Sequence, residues 1–160
     1  MEIFKDSERN QSPLSAEAKR LVREFVHLLD PELISSPETV RAFERILVAG
    51  DPECDTLDEI MDAGVLTQLI PEFTKIRDRI QFDEYHLYPV DKHSLHTVRT
   101  LQKWRSRKAD DKEPLCREVY QDLQDPRLLH WGALLHDIGK GFSADDHATS
   151  GAACVPGILK

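Results

Sequence analysis

The sequence predicts an all-α protein, on three observations. Glycine is scarce, at 7 residues in 160. Apolar residues recur at three- and four-residue spacing in one segment after another. Most of these segments are bracketed by a capping Ser or Asp in front and a Gly or Pro behind. No stretch alternates apolar and polar residues as a half-buried strand does. The punctuation divides the chain into a small helical annex over residues 1–76 and a second helical unit over residues 77–160.

In the annex, Ser15 precedes "AEAKRLVREFVHLL", where Leu21, Val22, Phe25, Leu28 and Leu29 keep helical spacing and Pro31 stands just past the end. Ser36, Pro37 and Glu38 supply a cap, a first-turn proline and an acid, and open "ETVRAFERILVA", which Gly50 closes. Asp55 opens "TLDEIMDA", closed by Gly64, and "VLTQLI" runs up to Pro71. From residue 72 to 89 the text reads as a short helix followed by an ordered connection. Its aromatics Phe73, Phe82, Tyr85 and Tyr88 are expected to plug the next layer.

The second unit opens with a long helix over about residues 90–107, followed by one over about 114–123. A third starts at Pro126 behind the cap Asp125 and runs to about Ile138, with Gly139 as its stop. Asp146 is placed to cap one more helix, "HATSGAACV", which Pro156 and Gly157 should interrupt.

Composition excludes several functions. A hydrophobic fraction of 40% and a charged fraction of 31% are those of an ordinary soluble domain, not of a disordered or membrane-embedded chain. Acids outnumber bases 29 to 21, so a long polyanion is repelled and nucleic acid is not an expected partner. The basic run "KWRSRK" at 103–108 reads as the solvated cationic end of a helix. Cys54, Cys116 and Cys154 are odd in number and form no CxxC pair, which fits a reducing compartment. The start, "MEIFKDSERNQSP", lacks a signal-peptide core, and no run reaches membrane-spanning length, so the expected location is the cytoplasm, with no membrane partner.

The chemistry concentrates in "LLHWGALLHDIGKGF", residues 128–142, where His136 and Asp137 sit inside an apolar stretch. At about 100° per residue, Leu128, Leu129, Trp131, Ala133, Leu134, Leu135 and Ile138 leave no wide polar face, the pattern of a helix buried on all sides. His136 and Asp137 are therefore expected to point into protein, where a buried carboxylate needs a positive partner. A divalent cation satisfies imidazole and carboxylate together. The alternative is a structural His-Asp pair, hydrogen-bonded near a helix C-terminus. On the preceding long helix, Val90, Thr97, Val98, Leu101 and Trp104 fall in one arc with His93 at its edge and His96 further toward solvent. His93 can thus reach a site at the rim of the core as a third ligand, or be a packed rim histidine.

A helical histidine followed about forty residues later by an HD pair resembles the HD superfamily of metal-dependent phosphohydrolases. "GVLTQLIPEF", "IQFDEYHLYPVDKHSL" and "ALLHDIGKG" followed by "DDHATSGA" resemble more narrowly the central, uridylyl-removing region of the bifunctional PII uridylyltransferase/uridylyl-removing enzymes. The likeness covers about residues 15–155. It implies an HD-domain-like bundle in which His93, His136 and Asp137 are metal ligands. It also implies that Lys140 lies beside the site and stabilises phosphate charge, and that His147 serves a second metal or phosphate. The residues alone leave Lys140 equally a cation at a helix C-terminus and His147 a first-turn surface residue, with Asp145 and Asp146 as turn and cap residues.

By that likeness the expected cofactor is a divalent ion, Mn, Fe, Zn or Mg, among which N and O ligands do not choose. The expected partner is uridylylated PII signal protein, and the expected reaction is phosphodiester hydrolysis releasing UMP, with Asp137 and Lys140 carrying the chemistry. Two other readings are a phosphohydrolase of free nucleotides and a catalytically silent helical module. No Gly-x-Ser-x-Gly turn offers a serine nucleophile. Such sites take a further aspartate or histidine from a downstream helix, and the sequence ends at Lys160 without one. The expectation is a truncated bundle with uncovered apolar surface that favours a homo-oligomer.

Overall fold

Short-range signals account for most of the helices in the computed structural model, which describes residues 1–80, 88–106, 113–142 and 146–159. Among them all regular structure is helical, with no strand. The annex comprises α1 (Glu2–Arg9), α2 (Ala16–Phe25), α3 (Pro31–Ile34), α4 (Pro37–Ala49), α5 (Thr56–Asp62) and α6 (Val65–Leu69). A 3₁₀ segment at Pro71–Lys75 follows. The second unit holds α7 (Val90–Arg105), α8 (Pro114–Gln121), α9 (Arg127–Leu135), a 3₁₀ segment at Ile138–Gly141, and α10 (His147–Ile158).

The caps act as their residue types require. Ser15 Oγ accepts the Ala18 N–H at 3.1 Å, Ser36 Oγ that of Thr39 at 3.3 Å, and Asp146 Oδ1 that of Thr149 at 3.3 Å. Asp55 precedes α5 without a side-chain cap bond and gives an oxygen to Arg99 instead, at 3.2 Å. Gly64 joins α5 to α6 at φ +80°, left-handed backbone that a side chain would strain.

Several elements depart from the sequence reading. The opening residues, to which the sequence reading assigned no element, form α1, which inserts Phe4 into the core. Pro31 does not merely stop a helix; with Asp30 as cap it begins the one-turn α3. α9 ends at Leu135, three residues short of expectation. α10 runs through Pro156 to Ile158, because a proline in the last turn removes one intrahelical bond near an end that frays anyway. Phe82, Tyr85, Asp145 and part of the basic run 103–108 lie outside the described residues.

One hydrophobic core runs through both units. Phe43, Leu47, Ile60, Leu66 and Phe73 of the annex pack with Val90, Leu95, Val98, Leu134 and Ile138 of the second unit. Polar ties align the same elements. Lys92 Nζ reaches Asp58 at 2.9 Å and Asp62 at 3.0 Å, and Arg99 reaches Asp58 at 2.6 Å, so one face of α7 is clasped to α5. Gln102 Nε2 donates to the carbonyls of Ile46 and Leu47, each at 3.0 Å, which satisfies the end of α4 inside the core.

The α9 helix is not buried on all sides as its composition suggested. Leu128 is 74% exposed and Leu129 42%, while Leu134, Leu135 and His130 are buried. Its inner face packs on α4 and α7, and apolar composition does not reveal which face a neighbour covers.

Candidate metal centre

The site forms where α9 ends. Ile138 is fully buried and anchors the chain just past the helix. Gly139 lets the following turn press against the start of α10: a Cβ there would stand 1.8 Å from the His147 carbonyl oxygen and 2.5 Å from the Gly151 nitrogen. Between these anchors and Leu135, His136 and Asp137 leave regular helix, with Asp137 at φ −104° and ψ 7°. α7 runs alongside and offers His93 from the rim of its buried face.

The three side chains converge. His136 Nε2 lies 3.3 Å from Asp137 Oδ2 and His93 Nε2 lies 3.9 Å from the same oxygen. One ligand atom from each falls within 4.8 Å of the others. The two imidazoles meet edge to face, with centroids 5.2 Å apart. Asp137 is buried, whereas the histidine side chains are 35% and 38% exposed. His136 therefore sits at the mouth of the site instead of pointing inward as expected.

The hydrogen bonding fixes the tautomer of His136. Its Nδ1 is 2.8 Å from the Ala133 carbonyl oxygen; a carbonyl only accepts, so Nδ1 carries a hydrogen. In the neutral ring the Nε2 lone pair then faces Asp137 Oδ2, and two acceptors so close require a proton or a cation between them. An imidazole held through its far nitrogen by a backbone carbonyl is the usual support of a metal-ligating histidine. Metal bonds of about 2.0–2.2 Å place tetrahedral ligand atoms roughly 3.3–3.6 Å apart. The two-nitrogen, one-oxygen donor set suits a divalent ion; the His136–Asp137 pair at 3.3 Å already has that spacing, and His93, at 3.9 Å from the same oxygen, stands slightly wider.

Lys140 supplies a second positive partner. Its Nζ is 2.9 Å from Asp137 Oδ2, and both side chains are buried. Burial pushes the Asp137 carboxyl up, but bonds from His136 and Lys140 outweigh it and hold the group well below the usual carboxylate range. The bond to Asp137 raises the His136 imidazole above its ordinary value, against the effect of burial. Lys140 is thus a buried counter-ion, not an exposed cation at a helix end. His147 begins α10, half-buried, with its backbone against Gly139, and its side chain does not join the three-residue group.

Two features escaped the sequence reading. Tyr88 does not plug a layer; it is 53% exposed and stacks on exposed His96, rings 5.9 Å apart and 18° from parallel. His130 is fully buried and its Nε2 meets the Tyr120 hydroxyl at 2.9 Å, tying α9 to α8. The one sequence signal for His130 was its place four residues before Leu134, on the inner face of α9.

This arrangement meets the comparisons with known proteins at one point: residues 90–159 match the family described as HD domain, which spans every residue of the cluster. Residues 90–159 are an HD domain. The whole chain resembles the bifunctional uridylyltransferase/uridylyl-removing enzyme of Methylococcus capsulatus, 35% identical over 153 residues, covering 94% of this chain and 17% of that protein. The same enzymes of Azospirillum brasilense (35% identical; 94% of this chain, 16% of that one) and Cereibacter sphaeroides (34%; 95% and 16%) agree. The chain therefore spans only about one-sixth of the length of these relatives. No solved structure matches it. No helix among the described residues is long and apolar enough to cross a membrane.

Proposed function

We propose that the HD domain is a metal-dependent phosphodiesterase that releases UMP from uridylylated PII signal protein in the cytoplasm. The observation that carries the reading is the convergence of His93, His136 and Asp137 from two separate parts of the fold within 4.8 Å. Those three hold the ion, which when bound lowers the pKa of a water and polarises a phosphoryl oxygen. Asp137 contributes the charge that fixes it. The Ala133 carbonyl holds His136 in the tautomer that presents Nε2. Lys140 keeps Asp137 ionised and aimed, and its own charge offsets the negative charge of a phosphoryl group at the mouth. His147, beside Gly139, takes the phosphate or a second ion. The open edge of the site at His93 and His136 suits a substrate carried on another protein.

The test is UMP release from uridylylated PII by chain loaded with Mn, Fe, Zn or Mg. His136→Ala and Asp137→Asn should abolish release and lower bound metal at least tenfold by elemental analysis, with the fold intact by circular dichroism. A wild-type chain that retains no divalent ion and releases no UMP would overturn the proposal, and turnover of free nucleotides alone would replace the substrate.

A further inference from the structure

We propose that Tyr88 and His96 form a stacking platform for the base of the nucleotidyl group whose phosphate is handled at His93, His136 and Asp137. This deepens the hydrolase reading and rests on it for the phosphate end.

Tyr88 precedes α7, and its ring is 53% exposed where an aromatic of its size ordinarily finds cover. What it meets is the exposed imidazole of His96, at 5.9 Å and 18°, a nearly parallel stack of two rings at the surface. His96 stands three residues after His93 on α7, so the two histidines are neighbours on one side of the helix. The intervening rise is about 4.5 Å. His93 in turn meets His136 edge to face. Four rings therefore follow one another across the surface, Tyr88, His96, His93 and His136, with the carboxylate and the buried lysine under the last two.

One end of that run is flat and aromatic; the other is built for phosphate and cation. A nucleoside 5′-phosphate has the same polarity, a planar heteroaromatic base joined through a ribose to a phosphoryl group. Stacking recognises the face of a base and not its edge, so the platform takes nucleotidyl groups as a class and separates them from phosphoesters that carry no base. Tyr88 and His96 act on binding, and the reacting atoms stay with the metal-site residues.

The experiment titrates the full chain, in Mg²⁺ and followed by NMR, with UMP and separately with ribose 5-phosphate, which keeps the sugar and phosphate but lacks the base. UMP should bind roughly 5- to 150-fold tighter, and Tyr88→Ala should bring the two dissociation constants within about twofold while leaving that of ribose 5-phosphate unchanged. Tyr88→Phe, which keeps the ring, should preserve the preference. Tyr88 is at the surface, and unchanged melting of the two variants confirms that only binding has altered. Equal affinity for the two ligands in the wild type, or an undiminished preference in Tyr88→Ala, overturns the platform even if UMP release is intact. A UMP preference that Tyr88→Ala removes, in a chain that releases no UMP, supports the platform and overturns the hydrolase reading alone.

Discussion

Replacing Lys140 by methionine tests how the buried carboxylate of Asp137 is compensated. The substitution keeps the length and apolar stem of the side chain and removes only the ammonium, which lies 2.9 Å from Asp137 Oδ2 with both groups buried. Removing one partner of a buried ion pair costs about 3–5 kcal/mol because the other charge is left behind. Here His136, 3.3 Å from the same oxygen and half-exposed, still serves that charge, so the expected loss is about 2–3 kcal/mol. A divalent ion seated among His93, His136 and Asp137 supplies the missing positive charge. It also binds the variant more tightly than the wild type, where the lysine repels it. At saturating Zn or Mn both proteins are stabilised and the gap narrows by RT ln of the ratio of their dissociation constants, so an ion held roughly 10- to 30-fold more tightly by the variant should narrow it by about 1.4–2 kcal/mol, to about 1 kcal/mol or less. The assay is urea unfolding of both proteins, in chelator and in excess ion. A gap that is the same with and without the ion would refute the reasoning, because the ion would not then lie against Asp137. A loss under about 0.5 kcal/mol in chelator would show that Lys140 is not the main counter-charge.

Two further predictions concern the frame of the site. Burial lowers the His130 imidazole to about 4 from 6.5, against a smaller opposing effect of the Leu47 carbonyl. The unfolded chain therefore binds the extra proton first as pH falls: the stability associated with neutral His130 is full above about pH 6.5 and is lost toward pH 4, about 3 kcal/mol in all, of which roughly 2 kcal/mol falls between pH 7 and 4.5. Urea titrations at pH 4.5 and 7 should show a pH difference that shrinks by about that amount in His130→Leu, and an identical difference in the variant would rule the histidine out as its source. Gly139→Ala places a methyl 1.8 Å from the His147 carbonyl, so α10 must shift or detach, at about 3 kcal/mol; a change under about 0.5 kcal/mol in the unfolding midpoint analysis would contradict the packing described.

What the sequence by itself determined is what depends on neighbours along the chain. Ser15, Ser36 and Asp146 cap because a short side-chain oxygen reaches its own next turn, and the all-α class follows from apolar spacing that requires no knowledge of partners. Helical angle put His93 at the rim of α7, and an adjacent His and Asp can flank one object, but periodicity left a structural His-Asp pair open as well, and only the resemblance to the HD family joined the three into one expected site. Tertiary structure decided the rest, because burial depends on which face another element covers. It left Leu128 in solvent, sank His130 against Tyr120, stacked Tyr88 on His96 at the surface, and ended α9 early so that Ile138 could enter the core and Lys140 could fold back on Asp137. None of those outcomes is encoded in local spacing, since each is set by a contact between segments that composition and periodicity do not pair.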